Sequence, residues 1–152
     1  DPERYLLKLG LGAAEPAAEL VITVAGHAEE HRCTWYEIRC DLRPRGSGEE
    51  EAGASRSWVC KKRLISLREY IHDPVKEALG DDYANHFCET PFARFGAPSG
   101  TTDRLRGWLG TLASCVNTGV LPPKLCAMVL RLLEAPSRDH SQGQVRREID
   151  AW

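Results

Sequence analysis

The side chains best suited to chemistry form a run of cations. Arg56, Lys61, Lys62, Arg63 and Arg68 follow one another with no acid until Glu69. Guanidinium groups offer a planar fork to phosphate oxygens, and ammonium groups add a compact charge. The run passes into Ser66-Leu67-Arg68-Glu69, a capping-box pattern that predicts a helix start whose amides also favour an anion. Charge runs on most domains are solvated surface, so composition alone leaves a phosphate site and a plain solvated face both open. A further cation, Arg94, stands between Phe92 and Phe95 in a stretch bounded by Pro91 and Pro98. Two aromatics flanking a cation can dip into the interfacial layer of a bilayer while the cation meets lipid phosphate. The alternative is that Phe92 and Phe95 fold back and anchor the loop on the core.

Catalytic patterns are missing. The chain contains no G-x-x-x-x-G-K-[ST], G-x-S-x-G, H-E-x-x-H or G-x-G-x-x-G, so neither a cofactor nor catalysis is expected. His27, His31, His72, His86 and His140 show no ligand spacing. A nucleophile pair of Cys88 with His86 lacks the third, orienting group that such pairs need. The six cysteines, Cys33, Cys40, Cys60, Cys88, Cys115 and Cys126, include no C-x-x-C, which removes the credible zinc spacing. Cys33 and Cys40 fall on opposite faces of one expected strand, and Cys115 and Cys126 beside apolar helical positions. All six are expected reduced, as in the cytosol. The formal net charge of -2 argues against general nucleic-acid binding, which needs a basic excess.

These groups need a scaffold, and 152 residues fit one domain. Hydrophobic content of 42% against 28% charged is ordinary for a folded chain and argues against wholesale disorder. The chain begins with Asp1, carries no signal-peptide pattern and has no apolar run of membrane-spanning length. Residues 1–17 read as an amino-terminal arm or edge strand, 18–135 as the domain, and 136–152 as a polar tail. Leu20 to Val24 predict a first strand, His27 to His31 its turn, and Tyr36, Ile38, Cys40 and Leu42 the buried face of a second strand. The Gly- and acid-rich stretch from Pro44 to Ser57 reads as a long hairpin connection, and Trp58 opens a third strand. From Ser66 the pattern turns helical, and Asp73-Pro74 marks a kink or a restart before Gly80. The stretch from Asp81 to Thr102 reads as irregular. Two amphipathic helices follow, one from Leu105 to Val116 and one from Leu125 to Leu133 after Pro122-Pro123. The fold class expected is α+β: a three-stranded antiparallel sheet packed against three to four helices.

This order of elements resembles the PX (Phox homology) domain of sorting nexins, over roughly Ala18 to Ala135. The stretch carrying the likeness is Arg63-Leu64-Ile65-Ser66-Leu67 at the strand-to-helix junction. Trp58 near the start of that strand and the Pro-led last helix, Pro122 to Glu134, add to it. The resemblance implies a non-catalytic module that binds a phosphoinositide and targets endosomal or other intracellular membranes peripherally, as in membrane trafficking. Arg63 then falls on the residue that holds the 3-phosphate, with Lys61 and Lys62 beside it, and Arg94 where the family often has a phosphate-touching Lys. Leu64 replaces the aromatic normally found under the inositol ring. Thr101 stands where a second Arg is usual, with Arg104 and Arg106 the nearest bases. The pocket implied is therefore divergent. The alternative is a PX-like protein-interaction or scaffolding domain without lipid binding, with protein partners in place of a membrane.

Overall fold

The computed structural model describes residues 1–12, 15–45, 56–93 and 98–136. Strands β1 (Ala18–Glu30), β2 (Cys33–Pro44) and β3 (Arg56–Arg63) form an antiparallel sheet in the order β1-β2-β3. Period-two alternation puts Leu20, Ile22 and Val24 of β1, Tyr36, Ile38, Cys40 and Leu42 of β2, and Cys60 of β3 on one buried face. The opposite face carries Glu37, Arg39, Lys61 and Arg63, all exposed. Together with the helices described below this is the expected α+β class, a three-stranded antiparallel sheet covered by helices.

The first hairpin is longer than the sequence suggests. Pairing runs on to Glu30 opposite Cys33, and the turn is made by His31 and Arg32 at φ 52° and 64°. Two consecutive positive φ values are the two-residue hairpin geometry that Asn-Gly normally signals. Without that signal the polar run His27 to His31 looks like the turn, although His27 is still paired, with Tyr36. Between Val24 and Gly26 the register slips by a bulge, and helix α5 (Pro98–Asn117) repairs the opened edge. Arg106 donates from Nε (3.1 Å) and Nη2 (2.9 Å) to the Val24 carbonyl. Four residues earlier on the strand, Asn117 Oδ1 accepts from the Leu20 amide at 2.7 Å while Nδ2 donates to the Leu20 carbonyl at 2.8 Å. These side chains satisfy backbone groups that an edge strand otherwise offers to another chain.

The helical half begins earlier than the capping box implied. Arg63 leaves the strand at φ -86°, ψ 152°, and α2 (Leu64–Leu67) follows at once, with no side-chain cap. Leu64 and Leu67 are both buried, so the core fixes the start and Ser66 falls inside the first turn. A π-helical turn, Arg68–His72, joins α2 to α3 (Asp73–Leu79), with the Asp73 amide donating to the Arg68 carbonyl. Pro74 has no amide and its ring crowds the carbonyl four residues back. The wider turn absorbs both defects, so of the kink and the restart that Asp73-Pro74 suggests, the helix takes the first course and continues through Pro74.

Three further departures complete the frame. Residues Pro2–Lys8 form helix α1, capped by the Asp1 side chain, which accepts from the Glu3 amide at 3.0 Å; no edge strand forms there. Leu6, Leu9 and Leu11 join the core. Within the stretch expected to be irregular, Asp82–Phe87 forms α4 and α5 begins at Pro98. Helices α5 (Pro98–Asn117) and α6 (Pro123–Leu132) follow the predicted stripes, except that Met128 is exposed. Trp58 ties the sheet to the end of α6, its Nε1 donating to the Leu133 carbonyl at 2.8 Å. No described helix is long and apolar enough to cross a membrane.

Candidate functional site

The run of cations does not converge. Consecutive strand residues point to opposite faces, so Lys61 and Arg63 lie on the exposed face of β3, opposite Glu37 and Trp35 of β2. Lys62 turns the other way and pairs with Glu134 at 2.8 Å, acting as a strut between β3 and the chain after α6. Arg104 is exposed on α5. Arg106 is committed to the Val24 carbonyl and to Asp103 Oδ1 at 2.9 Å. Thr101 is buried at the start of α5, and Leu64 is a core residue. Phe92 is also buried, its ring edge-on to Trp108 at 5.1 Å. It is a loop anchor on the core, not a side chain presented to a bilayer. Arg94 and Phe95 lie outside the described residues.

What the fold does bring together is a cleft of about 400 Å³ between the π-turn and α3 on one side and α4 with residues 91–93 on the other. Arg68, His72 and Lys76 line its first wall. Four residues overshoot a full α-helical turn by about 40°; the wider π-turn between Arg68 and His72 rotates less per residue and offsets that drift. The three side chains therefore face one cleft. Tyr83, Phe87 and Phe92 line the other side. Tyr83 stacks on Phe87 at 4.7 Å, and Phe87 on Trp108 at 5.1 Å. Trp108 is fully buried and donates from Nε1 to the Tyr83 hydroxyl at 2.9 Å. Burial pushes the Tyr83 hydroxyl pKa up, more than the Trp108 bond lowers it, so the wall stays neutral.

The cations are held against these rings. The Arg68 guanidinium stands 5.7 Å from the Phe92 centroid and donates a long bond, 3.4 Å, to the Ala93 carbonyl. Lys76 Nζ stands 5.7 Å from the Tyr83 centroid. Between them, the His72 ring lies 4.5 Å from Phe92 and 5.7 Å from Tyr83, its Nδ1 bonded to Asp73 Oδ1 at 2.8 Å. No carboxylate is among the described lining residues. Cations fixed over aromatic faces, with a neutral ring floor, suit a compact anion that carries a flat or ring-shaped body.

Of this group Arg68 stands out in the sequence as part of the basic run, and Phe92 as a neighbour of Arg94. His72, Lys76 and Tyr83 were missed. The signal available was the spacing of Arg68, His72 and Lys76, four residues apart each time, which places them along one helix side. Cys88 also lines the cleft, as an exposed thiol. No group of residues suited to holding a metal ion occurs among the described residues. No family model, curated protein or solved structure matches this chain.

Proposed function

We propose that this chain is a non-catalytic, PX-like module that takes a phosphoinositide headgroup into the Arg68–His72–Lys76 cleft and so docks peripherally on an anionic membrane. The observation that carries this reading is the charge of the cleft. The chain holds 22 acids against 20 Lys and Arg, yet the described lining has Arg68 and Lys76 and no carboxylate. Arg68 is the principal phosphate ligand, and Phe92 and Tyr83 floor the site in place of the aromatic that Leu64 replaces. Lys61 and Arg63, on the outer sheet face, add general attraction of about 1 kcal/mol each near an anionic surface.

Liposome co-sedimentation over a phosphoinositide panel tests this. Arg68→Ala is expected to remove a charge-assisted bond of about 1.5–3 kcal/mol, roughly ten- to a hundredfold in affinity. Arg63→Ala should weaken binding only mildly and equally across the panel. Binding to no phosphoinositide at low salt contradicts the reading and leaves the protein-interaction alternative.

A further inference from the structure

The fold finishes the two edges of its sheet differently. On β1, the side chains of Asn117 and Arg106 bond outward backbone groups at Leu20 and Val24. β3 is the other edge and pairs with β2 alone. Among the described residues, no hydrogen bond from outside the sheet reaches the backbone of residues 58–62. The chain leaving α6 holds β3 from its inner side, through Trp58 to Leu133 and Lys62 to Glu134. Outward amides and carbonyls on such an edge template the addition of another strand.

The side chains select what adds. β3 reads Arg-Ser-Trp-Val-Cys-Lys-Lys-Arg, with four cations and no acid. Val59, Lys61 and Arg63 are exposed on its outer side. Across the ladder on β2, Glu37 faces Lys61, while Arg39 faces Val59 and Trp35 faces Arg63. One acid therefore stands among three cations on this part of the face. A second copy is a poor occupant, because its own β3 brings cations and no acid, and like charges across a ladder destabilise it. A strand with acids at alternate positions meets opposite charge, and its backbone pairs with the outward groups of β3.

We infer that the free edge of β3 docks an extended acidic segment of another protein. That segment joins the sheet as a fourth strand, with its carboxylates beside Lys61 and Arg63. The site is the sheet edge and not the helical cleft, so it stands independently of headgroup binding.

The probe is a short fluorescent peptide alternating Glu with Val, titrated with the full chain and followed by anisotropy. Two further versions carry N-methyl groups, one at the odd positions and one at the even. A paired strand directs its backbone N–H groups alternately to its two sides. One methylated version is therefore expected to lose binding and the other to keep it. The double variant Lys61→Gln, Arg63→Gln should bind the unmodified peptide roughly threefold to tenfold more weakly, the sum of two cross-strand charge pairs. Its thermal unfolding midpoint should match that of the parent chain. Amide exchange at residues 58–62 should slow when the peptide binds. If both methylated versions fail, slowed exchange with the unmodified peptide supports the inference and unchanged exchange overturns it. Equal binding by all three peptides shows charge attraction without strand addition and overturns it. So does failure of the unmodified peptide to bind at low salt. A chain that sediments as a dimer with these amides already protected places a second copy on the edge, and also overturns it.

Discussion

Arg68 and Arg63 are the same residue type five positions apart, and their surroundings give them different work. Arg63 stands exposed on the outer sheet face, where solvent screens its charge and its effect on any ligand is diffuse. Arg68 is held by a ring and a carbonyl, so less side-chain freedom is lost when it meets an anion. The cysteines divide in a similar way. Burial pushes the Cys40 thiol up to about 12 from its ordinary 9.0, and Cys60 and Cys126 to about 11, while Cys88 is exposed. A thiol reagent at neutral pH is therefore expected to modify Cys88 first, the half-buried Cys33 more slowly, and the rest only on unfolding. The raised thiols also make stability pH-dependent. Between pH 9 and 11 the unfolded chain gives up these protons and the folded chain keeps them. Stability is thus intact below about pH 9 and falls as pH rises toward the folded values. Thermal unfolding in reducing buffer should show a midpoint that drops through this window, and Cys40→Ala should shallow the drop. A midpoint independent of pH there contradicts the assignment.

At the scale of elements, α5 does the most to hold the sheet. Asn117 and Arg106 bond the free edge of β1 at Leu20 and Val24. Asn117→Ala strands a paired amide and carbonyl, and a destabilisation of about 1–3 kcal/mol is expected from chemical denaturation. A change within error would mean that water replaces the clamp without loss. Arg106→Met should cost a similar amount and leave headgroup binding intact, which separates this residue from the ligands. The strands and the two long helices were legible because their apolar periods are long and regular. Their hidden features have local causes. The hairpin turn at His31-Arg32 lacks glycine, and α4 is six residues long, too short to establish a period. The π-turn was half visible: Asp73-Pro74 announced a disturbance, but not that the helix would widen and continue. Its consequence, three cleft residues in one row, was readable only as an equal spacing whose meaning depends on the opposite wall.

Across the whole molecule, charge is sorted by place and not by excess. The net charge of -2 makes the average surface a poor attractor for phosphate, while the cleft lining is basic among its described residues. A linear basic run on a strand points to a surface, since alternate side chains diverge; a spaced one on a helix can make a site. Membrane binding of the kind proposed should weaken as salt rises, since exposed Lys61 and Arg63 are screened. The headgroup contact at Arg68 should persist longer, so soluble-ligand affinity is expected to vary less with salt than vesicle affinity does. Equal salt slopes would contradict the division between cleft and outer face. The most direct measurement is the alkylation rate of Cys88, whose thiol lines the cleft, with and without an inositol bisphosphate. Occupancy of the cleft predicts that saturating ligand slows Cys88 labelling and leaves Cys33 unchanged, and that Arg68→Ala abolishes the protection. Labelling of Cys88 at the same rate at every ligand concentration would contradict binding in this cleft.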